Sequence, residues 1–214
     1  MRDESEKEVV HRIEAFSDIV IGFSLAQLGL NLTIPARARD LFTSVHGATS
    51  LIALIITFAL VCSVWWNHHR IFRHLFIPTP INIFANFAAL CGVIVLAYSM
   101  QLLVHAHMDD NVAFALYAGS YCWIMGLFAL IAWSGLRTRG SMMSAEIRAR
   151  SVKSAFGATV LCVWMAAFTA VALVFGMHGE AVAWTETGLV LSLVAVRFAT
   201  RGKRPGQAPS SPSV

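Results

Sequence analysis

Charge is what this sequence has least of. Only 13% of its 214 residues are Asp, Glu, Lys or Arg, about half the share in a soluble domain. Cysteine is also sparse. Cys62, Cys91, Cys122 and Cys162 each lie inside an apolar run, so they read as small core residues and not as a disulfide framework. Several signatures are missing as well. There is no Thr-Val-Gly-Tyr-Gly filter and no arginine at every third position, which argues against a carbonyl-filter channel and a voltage sensor. Nor is there a nucleotide loop, an HExxH motif or a Gly-x-Ser-x-Gly elbow, and no nucleophile sits beside a base. The reading is of a non-enzyme with no cofactor.

What the sequence does have is long apolar runs, at 57% hydrophobic types. A hydrocarbon core of about 30 Å needs roughly 20 such residues per helix. Six segments qualify: 16–34, 48–66, 81–105, 112–136, 155–177 and 181–198. None alternates as a barrel strand would, and an open sheet cannot satisfy its backbone in lipid. The expected fold is therefore an all-α integral membrane protein with six transmembrane helices. Its parts are an N-terminal segment 1–15, a membrane domain 16–200 and a Pro-, Gly- and Ser-rich tail 201–214, expected to be disordered. Residues 1–14 are charged with mixed sign and resemble no cleavable leader, so the first span is expected to remain.

Lysine and arginine placement sets the orientation. With six spans, fourteen of the sixteen fall on one side: positions 2, 7, 12, 70, 73, the group at 137–153, and 197–204. Only Arg37 and Arg39 fall on the other. Both termini are thus expected on the cytoplasmic side. The basic group at 137–153 is suited to anionic lipid headgroups, and nothing suggests nucleic acid.

Polar residues inside the spans carry the chemistry. Ser17 and Asp18 open the first span beyond Arg12 and Phe16. They either cap a helix near the interface or belong to a buried polar knot with other helices. Farther in, Val20, Phe23, Gln27 and Leu30 share one helical face. A glutamine amide at mid-membrane needs a partner, because an unsatisfied one in hydrocarbon costs several kcal/mol. That partner is either a neighbouring helix or copies of Gln27 around an oligomer axis. Gly22 and Gly29 would allow close helix approach beside this face.

The second span ends Trp65-Trp66-Asn67-His68-His69-Arg70. Adjacent histidines point about 100° apart, a poor metal chelate, so no metal is assigned. One histidine is expected to turn inward to a polar partner. Asn82 and Asn86 open the third span at the depth of Asp18 and His68, suggesting a shared structural network. Outside, Asp109, Asp110 and Glu180 make the loops mildly acidic. Glu186 enters the last span from the same side, and His105, His107 and His178 cluster there.

Two of these motifs resemble a known family. Arg12-x-x-x-Phe16-Ser17-Asp18 is similar to the signature of prokaryotic homologues of transmembrane protein 175, the endolysosomal potassium channel. The run through His68 and His69 resembles that family's Trp-x-x-His-His, with Trp65 the better-spaced tryptophan, and Asn86 resembles its polar position early in the third helix. The resemblance implies a homotetramer in the lipid bilayer whose first helices line a pore for monovalent cations, with potassium the expected permeant ion. It also implies a constriction of side chains at Phe23, Ala26, Gln27 and Leu30. Phe23 stands where the family has a branched aliphatic residue, Ala26 where it has threonine, and Gln27 where it has leucine. A ring of phenylalanines favours dewetting, whereas a ring of glutamines favours hydration. Two other functions compete: a proton-linked transporter, for which the mid-span polar inventory is thin, and a non-conducting scaffold.

Overall fold

The computed structural model describes residues 4–30, 44–105 and 111–175, with isolated positions 188 and 191. The described residues form five long helices: α1 (Glu4–Leu30), α2 (Val45–His74), α3 (Pro80–His105), α4 (Asn111–Arg139) and α5 (Ala145–Phe175). A 3-10 turn, Gly140–Met142, links the last two. Each helix is long and apolar enough to cross a bilayer, and there is no strand among the described residues. The segment 181–198 read as a sixth span lies outside the described residues apart from Gly188 and Leu191. So do the acidic outer positions Asp109, Asp110, Glu180 and Glu186, with His107 and His178, and the tail 201–214.

The helices are 26 to 31 residues long, or roughly 39–46 Å at 1.5 Å per residue, longer than the hydrocarbon. Most of the excess lies at the basic end. α1 begins twelve residues before the first apolar run, α2 continues eight residues past Trp66, and α5 begins ten residues before its run. Ties between distant residues hold these extensions. Glu6 of α1 pairs with Arg139 of α4, and Glu14 meets His69 of α2 at 3.2 Å. Val10 is buried against the core. Within single helices, Glu8–Arg12 and Glu146–Arg150 add i,i+4 pairs, each worth a few tenths of a kcal/mol.

Helix starts follow local chemistry. Ser44 caps α2 by accepting the Gly47 N–H at 3.0 Å. Thr79 accepts the Asn82 N–H at 3.3 Å, immediately before Pro80, whose missing N–H costs nothing at a first helical position. Mid-span hydroxyls satisfy themselves without water: Ser24, Thr57, Ser120, Thr159 and Thr169 each donate to the carbonyl four residues earlier.

α4 is the hub. It packs against α3 on one side and α5 on the other, and also touches α2, while α1 leans on α2 and α3. Close approach depends on glycine at two places. A Cβ on Gly92 would sit 2.8 Å from Ile124 Cγ1, and one on Gly135 would sit 2.0 Å from the Leu75 carbonyl oxygen. Two tyrosines of α4 lock α2: the Tyr117 hydroxyl is 2.9 Å from Thr57 Oγ1, and that of Tyr121 is 3.0 Å from Ser63 Oγ. Cys122 of α4 faces Cys162 of α5 with sulfurs 3.7 Å apart, both as free thiols.

Candidate functional site: the open face of α1 and the polar cluster behind it

α1 has two unlike faces. Val10, Ser17, Ile21, Ser24 and Leu28 are buried against the neighbouring helices. The opposite face is open: Ile19 is 70% exposed, Phe23 68% and Leu30 83%, and Ala26 and Gln27 are exposed with them. Cβ atoms built on Gly22 and Gly29 meet nothing within 4 Å. Phe23, Gln27 and Leu30 therefore share a face, as their spacing requires. Val20 does not join them. It is half-buried and packs against the core, and Ile19 takes its place on the open side. The stripe's centre lies nearer 19–23–26–30 than 20–23–27–30.

Gln27 is the polar residue of this stripe. Its amide makes no hydrogen bond to any described residue. The lateral bond to a neighbouring helix that the sequence left open is thus absent among the described residues.

Toward the basic end, polar residues of three helices come together: Ser17 with Asn86 and Asp18 with Trp65, with His68 near both Asn86 and Asp18. Ser17 is fully buried. Its hydroxyl donates to the Ile13 carbonyl at 2.8 Å and accepts the Asn86 amide at 3.0 Å. Asp18, one residue on, points about 100° away and is exposed, where its carboxylate accepts the Trp65 indole N–H at 3.0 Å. Trp65 in turn stacks on His69, with ring centroids 5.9 Å apart. Phe16 meets Phe87 of α3 edge-on at 5.8 Å. Of the two tryptophans, Trp65 reaches α1. Trp66 is 53% exposed.

Two residues behave differently from the sequence reading. Arg12 does not reach the cluster; it bonds Glu8 at 2.6 Å on the exposed side of α1. Asn82 turns back to the Ile77 carbonyl at 3.0 Å and ties the α2–α3 loop. His68 does turn inward and is fully buried, with Asn86 and Asp18 close enough to act on it and its ring stacked on Phe72 at 4.1 Å and tilted to Phe128 at 5.9 Å. Neither of its ring nitrogens, nor Asn86 Oδ1, bonds a described residue. A buried polar group of this kind stiffens demands on its surroundings.

No three His, Cys, Asp or Glu side chains come together as a metal site among the described residues. The sequence reading missed Tyr117 and Tyr121, which make the interhelical hydroxyl bonds between α2 and α4. A tyrosine one helical turn from another inside an apolar run was the available signal.

Comparison with known proteins bears on the same region. Residues 12–97 match the family described as "Endosomal/lysosomal potassium channel TMEM175". A protein of Marivirga tractuosa named "Potassium channel" is 30% identical over 92 residues, 43% of this chain and 36% of that protein. The match thus spans about a third of that relative's length. A potassium channel of Chamaesiphon minutus is 27% identical over 153 residues, 68% of this chain and 75% of that one.

Two solved structures share the fold. One is a crystal structure of a lysosomal potassium-selective channel TMEM175 homolog from Chamaesiphon minutus, with TM-score 0.64 and 22% identity over 91% of this chain and all of the other. The second is a variant of the potassium channel MtTMEM175 bound to a Nanobody-MBP fusion protein, with TM-score 0.63 and 17% identity over 89% of this chain and 94% of that one. Over residues 12–97, the segment that holds both motifs, this chain is similar to the TMEM175 family.

Proposed function

We propose that this chain is one subunit of a potassium-permeable cation channel: a homotetramer of six-helix subunits in the bacterial plasma membrane, with both termini cytoplasmic and passive conduction along an axis lined by α1. The relatives' names support the ion. The observation that carries the axis is Gln27, exposed and without a partner among the described residues. Turned to lipid, its amide would forfeit several kcal/mol. Turned to a shared axis, it meets its own copies or water. The glycines on the open side fit the same reading, since they admit a close neighbour that the single subunit does not supply.

The ion path then passes side chains and no carbonyl filter. Phe23 is its widest apolar group and Leu30 a second apolar layer, with Ala26 and Gln27 between them. An apolar ring resists ions by dewetting, and an amide ring lowers that barrier by hydrating the passage. Behind the pore face, the Ser17–Asn86 and Asp18–Trp65 bonds fix the rotation of α1 against α2 and α3, which determines what the axis sees.

The test is flux of potassium and sodium through purified protein in liposomes, together with the molar mass of the detergent-solubilised particle by light scattering. Potassium flux above sodium flux, changed by Gln27→Leu and raised by Phe23→Ala, is the expected result. A monomer, or a folded tetramer whose flux ignores both substitutions, would remove α1 from the axis. Flux that saturates and needs a counter-ion would replace the channel by a transporter.

A further inference from the structure

The basic end of the molecule holds a second feature, away from α1. Where the last turn of α2 meets the first turns of α5, a recess with about 30 Å³ of free space is lined by Arg70, His74 and Leu75 from α2 and its cap, and by Ile147, Arg150, Ser151 and Ser154 from α5. No carboxylate lines it. The nearest acids in sequence are already engaged, Glu146 with Arg150 at 2.9 Å and Glu6 with Arg139.

The Arg70 guanidinium is partly buried and makes no hydrogen bond or ion pair with a described residue. Arg150 is close enough to repel it. Arg150 has Glu146, but Arg70, drawn partly out of water beside a like charge, has no anion among the described residues, which is unfavourable unless one binds there.

The hydroxyls point the same way. Ser17, Ser24, Thr57 and Ser120 use their hydroxyl protons on carbonyls of their own helix. Ser151, which is buried, and Ser154 have no such bond to a described residue, so their donors are available to the recess. The Arg70 fork, the N–H groups of Arg150 left over from its bond to Glu146, and two hydroxyls can all donate to an anion, and the planar fork matches an oxyanion better than a halide. The free space is near that of one water molecule in the liquid, about 30 Å³, so it admits one or two oxygens of a larger group that stays outside.

We propose that Arg70, Arg150, Ser151 and Ser154 form a binding site for a phosphate oxyanion at the α2–α5 junction. Phospholipid headgroups and free phosphate share this chemistry. Arg70 lies four residues beyond Trp66, at the end of the second apolar run, which is the depth of headgroup phosphates.

The experiment uses the full chain in detergent micelles and follows its thermal midpoint by tryptophan fluorescence. Dioleoylphosphatidylglycerol, inorganic phosphate at fixed ionic strength, and uncharged dioleoylglycerol are titrated separately. The expected result is a saturable rise with a phosphate-bearing probe and none with dioleoylglycerol. Arg70→Gln and Arg150→Gln each weaken binding about tenfold, the size expected for one lost charged hydrogen bond, while Arg137→Gln, at the same interface but outside the recess, changes it less than twofold. Saturation by the lipid alone assigns the phosphate to a headgroup. Saturation by inorganic phosphate as well, with the same variant pattern, assigns it to a soluble anion. The Arg150 side chain is 69% exposed, so Arg150→Gln keeps the test open if Arg70→Gln fails to fold. Absence of saturation with both phosphate probes, or equal weakening by all three variants, overturns the site.

Discussion

Of the membrane stretch of α4, 61% is buried inside the subunit, whereas α1 buries only 28%. The two helices also differ in what their sequences display. α1 carries a recognisable motif, a carboxylate, a mid-span glutamine and two glycines. α4 carries alanines, glycines, tyrosines and branched apolar residues with no motif of its own. The more buried helix is thus the less distinctive one. Packing asks only that shape and volume fit, and many sequences meet that demand. An exposed face inside a membrane is constrained by what it must meet outside its own subunit. The same substitution should therefore act on folding in α4 and on function in α1.

Glycine gives the largest contrast. Gly135→Ala drives a methyl group onto the Leu75 carbonyl, 2.0 Å away, a backbone atom that no side-chain rotation can move. Overpacking of this severity is expected to cost about 3 kcal/mol or more and to abolish a cooperative thermal transition of the purified protein. Gly22→Ala meets nothing within 4 Å. Alanine is the better helix former by about 1 kcal/mol, so the midpoint should hold or rise, and any loss should appear in subunit association or flux. A drop in midpoint for Gly22→Ala matching that of Gly135→Ala would erase the distinction between the two helices.

Phenylalanine sharpens the comparison without backbone strain. Phe128 of α4 is 2% exposed and lies against the His68 ring, and truncation to alanine is expected to cost about 3–5 kcal/mol. Phe23 of α1 has little to lose inside the subunit, so Phe23→Ala should shift stability by less than about 1 kcal/mol while changing ion flux. The midpoint and the liposome flux, measured on both variants, should be exchanged between them: one variant loses stability, the other alters conduction.

These contrasts also show where the sequence was readable. Five helices were legible because span length follows from bilayer thickness, a constraint local to each apolar run. Their overrun at the basic end was not. It depends on Glu6 finding Arg139 and Glu14 finding His69, and no window of sequence contains both members of either pair. Phe23, Gln27 and Leu30 could be placed on one face because helical geometry fixes relative angles. The absolute rotation of that face is set by packing: α2 and α3 cover Val20 and leave Ile19 open. Adjacent residues on a helix diverge, so within the polar cluster Ser17 and Asp18 serve different partners. The inward turn of His68 follows from its polar neighbours Asn86 and Asp18, but its stacking on Phe72 depends on packing that no local pattern shows.

The smallest effect separates those two neighbours. Ser17→Ala removes the acceptor of the Asn86 amide, whose oxygen already lacks a partner among the described residues. Leaving a buried donor unmet costs about 1–3 kcal/mol, so the thermal midpoint should fall, and Asn86→Ala in the same background should restore part of it by removing the stranded amide. Asp18→Asn keeps an oxygen for the Trp65 indole on an exposed surface, and its cost should stay below about 1 kcal/mol. Trp65 emission should then keep its wavelength in Asp18→Asn and shift in Asp18→Ala. If Asp18→Asn proved as damaging as Ser17→Ala, the carboxylate would be meeting a charge outside its own subunit, and the open face of α1 would extend one turn farther toward the basic end than the single chain shows.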